Sequence, residues 1–149
     1  MIPARYQDQR LRDTPVHRFA DGSVRVYAGA CGGVSHEHGS DWPMWLLDLA
    51  LAGGALELGI PPEHRGFVYM LDGAGSVGGR TLAKGDVAWF EPGEGALAVE
   101  GGLRGLAFSG PPIDEPVVGH GPFVMNSQEE IRTAIADFNS GRFGRLVPA

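Results

Sequence analysis

Cysteine, lysine and long apolar runs are scarce in this 149-residue chain, and each shortage excludes something. A single cysteine, Cys31, cannot form an internal disulfide, so a small disulfide-stapled secreted scaffold is excluded. Beside its neighbouring glycines Cys31 reads as a small apolar residue, with no activating partner in the adjacent sequence. The N-terminal MIPARYQDQR holds no apolar stretch resembling a signal peptide. The most apolar segment, Met44 to Ala52, is interrupted by Asp48 and is too short to span a bilayer. The expectation is a soluble, cytoplasmic protein that does not enter a membrane. There is one lysine, Lys84, and the arginines are scattered rather than striped. Residues 1–25 carry five Arg against three Asp, whereas the remainder carries seven basic and fifteen acidic side chains. A body so acidic, in a chain of net charge −6, is a poor match for phosphates, and direct nucleic-acid binding is not expected.

What is abundant is glycine and proline: 24 and 11 residues, in a chain that is still 43% hydrophobic. No period-three glycine repeat appears, which excludes collagen, and the apolar content argues against disorder. Short strands joined by tight turns account for both facts. The predicted strands are 24–30, 44–51, 54–60, 66–72, 76–82, 86–91, 96–100 and 103–109, several with period-two alternation. Leu56, Leu58 and Ile60 share one face, and Phe67, Tyr69 and Leu71 share another. Eight strands at this spacing predict an all-β barrel or sandwich. Gly73-Ala-Gly75-Ser-Val-Gly78 matches a dinucleotide fingerprint in letters only. That mechanism needs a helix after the glycines, and here a strand pattern follows, so a hairpin turn is expected.

The C-terminal part changes character. Ser127-Gln-Glu-Glu130 is a capping box, Ile131, Ile135 and Phe138 fall at helical spacing, and Gly141 is a stop signal. The prediction is one amphipathic α-helix over 127–141, docked by that narrow apolar stripe. The chain thus reads as one domain, 1–149, with an N-terminal arm over 1–23 and a barrel over 24–110.

Residues 54–96 are the most informative. Gly54, Ile60, Pro62, Gly66 and Gly73, then Gly85, Glu91, Pro92, Gly93 and Ala96, follow the spacing of two motifs, G-x5-H-x-H-x3-E-x6-G and G-x5-P-x-G-x2-H. Those are the motifs of cupin barrels, whose three His and one Glu converge on a divalent metal. The chain resembles a cupin in its glycines and lacks its ligands. Ile60, Pro62, Gly66 and Ala96 stand where His, His, Glu and His would be. A methyl, a pyrrolidine ring and a hydrogen atom cannot ligate a metal. Period two predicts instead a lumen filled by Leu56, Leu58, Ile60, Val68, Met70 and Ala98.

A narrower resemblance is carried by Arg5-Tyr-Gln, Val24-Arg-Val-Tyr-Ala-Gly29, Gly66-Phe-Val-Tyr-Met-Leu-Asp-Gly73, the run Asp114 to Asn126, and Gly141-Arg-Phe-Gly144. In these the chain is similar to the C-terminal half of pirins, two-domain bicupins. The resemblance implies a single cupin (double-stranded β-helix, jelly-roll) barrel with one C-terminal helix. It also implies that metal and dioxygenase activity, often on flavonols such as quercetin, belong to an N-terminal cupin with no counterpart here. Pirins are described in addition as transcriptional cofactors.

Other candidates are sparse. His36 and His38 sit two apart in an extended segment and, with Glu37, Asp41 or His64, form the alternative metal site, for iron or another divalent transition metal. The competing reading is a solvated loop. His64 reads as a surface turn residue at the barrel mouth, His17 as a strand or arm residue, and His120 as a cap on apolar surface. Trp42, Trp45 and Trp89 read as core or interface aromatics. No Ser, Cys or Lys has a base placed for nucleophilic catalysis.

The expectation is therefore a module with no catalytic residues, cofactor or metal, acting by interaction, as a scaffold or through a small apolar ligand at the barrel mouth. Its partner would be a second copy or a separately encoded chain like a pirin N-terminal cupin. The alternative is a quercetinase-like, metal-dependent dioxygenase using His36 and His38 or a metal-binding cupin partner.

Overall fold

Apolar residues at every second position need a common interior, and the strands supply it by bending together. A computed structural model of the protein describes residues 8–36, 41–93 and 95–144. A 3-10 turn at Leu11–Asp13 precedes β1 (Val16–Phe19), β2 (Gly22–Cys31), β3 (Val34–His36), β4 (Trp45–Gly59), β5 (Arg65–Val77), β6 (Arg80–Ala83), β7 (Val87–Phe90) and β8 (Ala96–Gly110). These form one antiparallel sheet in the order β1-β2-β4-β8-β5-β6, with β3 added on β2 and β7 on β5.

Three of these strands are much longer than the sequence suggests. β4, β5 and β8 run for 15, 13 and 15 residues, each absorbing glycines that read as turns. The ladder shifts register between Ala52 and Ala55 and between Met70 and Asp72, so the glycines sit in or beside bulges. A bulge turns a strand without ending its pairing. Gly53, Gly73 and Gly101 have φ of 120°, 76° and 110°, values that side chains other than glycine rarely adopt. Residues 73–77 of the expected hairpin turn are accordingly strand; the chain reverses at Gly78 and Gly79, between Val77 and its partner Arg80.

Because the long strands bend, both halves of each face one interior. Leu47 and Leu49 from one half of β4 join Leu58 from the other and Ile60 just beyond its end, with Val68 and Met70 of β5 and Val99 and Leu103 of β8, in a single buried cluster. The result is an all-β jelly-roll barrel. Leu56 packs on the edge of the cluster. Ala98 does not join it: Leu97 and Val99 take the inward positions on β8, which turns Ala98 to solvent.

From Ile113 onward the chain forms a separate compact unit. β9 (Val118–His120) pairs with β10 (Phe123–Met125), followed by α1 (Gln128–Asn139). Ser127 caps the helix by accepting from the Glu130 backbone N–H at 3.2 Å. The Glu130 carboxylate accepts in return from the backbone N–H of Asn126 at 3.0 Å, one residue earlier than a standard capping box. The Asn126 side chain donates to Glu115 Oε2 and the Pro116 carbonyl, both at 2.9 Å, which closes the 114–126 run on itself. Ile131 and Ala134 are the buried helix residues. Phe138, expected in the docking stripe, is exposed and meets Phe123 and Phe143 edge-on at 6.3 and 6.0 Å.

Removing a side chain from the shared interior leaves a cavity that the bent strands cannot collapse. Leu49→Ala is expected to lower the unfolding free energy by about 2–5 kcal/mol in urea melts. Glu57→Ala, on the exposed side of the same strand, should change it by less than about 0.5 kcal/mol.

Candidate functional site

The four positions that cupins use for metal ligands differ in burial. Ile60 and Gly66 are buried, whereas Pro62 and Ala96 are exposed. Gly66 is also sealed: a Cβ there would collide with the Phe108 carbonyl oxygen and lie 2.7 Å from Phe90 Cζ and 2.8 Å from Ser109 Cβ. A carboxylate at this position has no space to occupy. The donor set does not fit a cupin metal, in chemistry or in placement.

Polar side chains at this end of the barrel satisfy each other instead. His64, expected on the surface, is only 3% exposed, and its Nδ1 lies 3.1 Å from the hydroxyl of Ser109, itself 5% exposed. The 61–64 turn closes on itself, with the His64 N–H donating to the Pro61 carbonyl at 2.9 Å, and this directs the imidazole inward. Ser109 stands opposite Gly66 in the ladder. The ring meets Trp45 edge-on at 5.9 Å, and Trp45 lies so close to Gly29 that no Cβ would fit between them. Burial pushes the His64 pKa below the usual imidazole value, outweighing the opposing charge of Glu63. A neutral imidazole bonded to a buried hydroxyl bridges the turn to β8; neither group reaches solvent to act on a substrate.

The outer face is less usual. Alternation sends Leu46, Phe108, Phe67 and Trp89 outward, and the ladders align them as one row across β4, β8, β5 and β7. Phe67 stacks on Phe108 at 5.8 Å and tilts against Trp89 at 5.0 Å. Trp89 is 66% exposed, and Tyr69 and Val87 in the next row are also exposed. Leu46, Phe67 and Phe108 are partly buried, so the row opens to water at its Trp89 end, where a large exposed aromatic marks a candidate interaction surface.

This combination of a ligand-free cupin barrel and its C-terminal run has a counterpart among known proteins. Residues 46–144 match the Pirin C-terminal cupin domain. The chain belongs to the pirin family. A Pseudomonas aeruginosa protein named "Putative quercetin 2,3-dioxygenase" is 38% identical over 150 residues, covering 97% of this chain and 52% of that protein. A pirin-like protein of Solanum lycopersicum is 33% identical over 97% of this chain and 52% of its own. The crystal structure of quercetin 2,3-dioxygenase from Acinetobacter baumannii superposes with a TM-score of 0.89 at 30% identity, over 98% of this chain and 53% of that one. This pirin chain thus spans about half the length of the relatives it matches.

The remaining candidates scatter over the pirin fold. His36 ends β3 opposite Gly29 and lines a cleft of about 260 Å³ with Asp8, Gln9, Arg10, Asp13 and Thr14. Glu37 and His38 lie outside the described residues. Among the described residues no three of His, Cys, Asp and Glu gather around a common point. His17 stacks on Phe19 at 5.7 Å in β1, and His120 is exposed on β9 opposite Phe123. Burial pushes the Cys31 thiol up, keeping it protonated, as its apolar reading requires. Trp42 donates its indole N–H to the Pro111 carbonyl at 3.2 Å. Ser109 was detectable only as the last member of the inward series Leu103, Gly105, Ala107 on β8.

His64 gives a pH signature. Its folded-state pKa lies below the unfolded value of 6.5, so the unfolded chain takes up the proton first as pH falls. The contribution is whole above 6.5 and is lost as pH falls through the folded pKa. NMR titration should place the His64 midpoint below 6.5, and His64→Gln should make stability less steeply pH-dependent between about pH 7 and 5. A midpoint above 6.5 would contradict the buried neutral imidazole.

Proposed function

We propose that this pirin-type domain acts as a metal-free interaction module that pairs with a second copy of itself. The observation that carries the reading is the row Leu46, Phe108, Phe67 and Trp89, an apolar surface with Trp89 two-thirds exposed at its end. Large exposed aromatics dominate binding energy once water is excluded around them. The row contains no charge, so self-pairing across a two-fold axis sets no like charges against each other. Asp48, in the adjacent row, is already paired with Arg104 at 3.0 Å. Light scattering of the purified chain should show twice the 15.8 kDa mass at micromolar to millimolar concentration. Trp89→Glu, at an exposed position that leaves the core intact, should weaken the dimer by at least about tenfold. A strictly monomeric species over that range sinks the reading.

A second reading is favoured by the relatives named as quercetin 2,3-dioxygenases. Here the same row docks a separately encoded metal-binding cupin, which supplies the chemistry, or the chain binds iron or another transition metal through His36 and His38. For the chain by itself, elemental analysis decides the latter. The first reading expects less than about a tenth of a metal per untagged chain after reconstitution with Fe, Ni, Mn or Cu; stoichiometric metal would favour the enzyme.

A further inference from the structure

The far side of the same outer face carries a different chemistry. The ladders align Arg18, Ser23, Ala50 and Arg104 as one row across β1, β2, β4 and β8, with Val16, Arg25, Asp48 and Leu106 as the next. Two small residues, Ser23 and Ala50, therefore floor a depression between two arginines. It opens as a cleft of about 270 Å³, walled also by Arg25, Tyr27 and Leu11.

Its charge runs against that of the chain, with three guanidiniums and one carboxylate in a protein of net charge −6. The carboxylate is committed: Arg104 donates from Nε and Nη2 to Asp48 at 3.3 and 3.0 Å. Arg25 is held from behind by neutral acceptors, its Nη1 donating to the carbonyls of Leu11 at 2.8 Å and Thr14 at 3.3 Å. Those bonds fix the guanidinium and leave its charge intact. Arg18 is exposed at the lip, and among the described residues no carboxylate pairs with Arg18 or Arg25. Asp72, across the ladder from Arg104, is matched by Lys84 at 3.5 Å. The cleft is left with two positive charges, and Ser23 and Tyr27 also line it.

We propose that this cleft binds a small phosphate monoester. Guanidinium groups match phosphate oxygens in geometry as well as in charge, and a dianion answers two uncompensated cations. Leu11 and Val16 offer an apolar wall for a compact organic body, and the volume suits a single ring rather than a larger ligand. The site shares no residue with the aromatic row and stands independently of the pairing proposed above.

The test is calorimetric titration of the full chain with phenyl phosphate at low ionic strength, with benzoate alongside. Phenyl phosphate should bind saturably at one site, at least about fivefold more tightly than benzoate. Arg18→Gln should weaken it at least about fivefold, whereas Arg80→Gln, an equal charge change on the β5–β6 hairpin, should cost less than about twofold. Ala50→Glu, which places a carboxylate on the exposed floor, should abolish binding while leaving the melting temperature near wild type. Equal losses in the two arginine variants would mean attraction by net charge alone and would overturn the proposal. Equal affinity for benzoate, or no saturable binding of phenyl phosphate at millimolar concentration, would overturn it too.

Discussion

β8 runs through the middle of the sheet with β4 on one side and β5 on the other, and the three have to bend together without losing their ladders. A straight strand of that length would leave half of its apolar face in water. The bends at Gly53, Gly73 and Gly101 fold each strand over the other half of its own inner face. Beside one of these bends Gly75 and Gly101 are ladder partners, and a Cβ on Gly101 would lie 2.7 Å from the Cα of Gly75. Two side-chain-free residues meet where the sheet has no room for side chains. Everything inside the barrel follows from that closure, including the buried cluster of Leu, Val and Met side chains.

The filled interior and the decorated exterior are one consequence of alternation. Each residue sent inward fixes its neighbours outward. Leu47, Ala107, Val68 and Ala88 are buried, and so Leu46, Phe108, Phe67 and Trp89 stand outside as a row. The same geometry places Arg18, Ser23, Ala50 and Arg104 side by side, although 86 positions separate the first from the last. In a metal-binding cupin the interior carries the chemistry. Here Gly66 is sealed by Phe90, Phe108 and Ser109, and the distinctive surfaces face outward.

Much of this was legible from residues alone. Motif spacing identified the cupin glycines and the missing ligands, and the capping box at Ser127 marked the start of the helix to within a residue. Strand ends were misread where glycine serves as a bend inside a ladder, because local sequence does not distinguish a bulge from a turn. His64 was misplaced for a related reason: Pro61-Pro-Glu-His-Arg is polar and turn-like, and only the ladder that brings Ser109 opposite Gly66 shows a buried partner waiting for the ring.

The amino-acid sequence by itself determined the all-β class, the inward parity of most strands and the loss of the metal ligands, because these depend on residue type and on a period of two. Tertiary structure alone decided which strands are continuous, that two of the four former ligand positions face solvent, and which side chains meet across the ladders. Register is a relation between segments far apart in the chain. It is set by where the bulges fall and by what the shared core has room for, and no single stretch of sequence contains either.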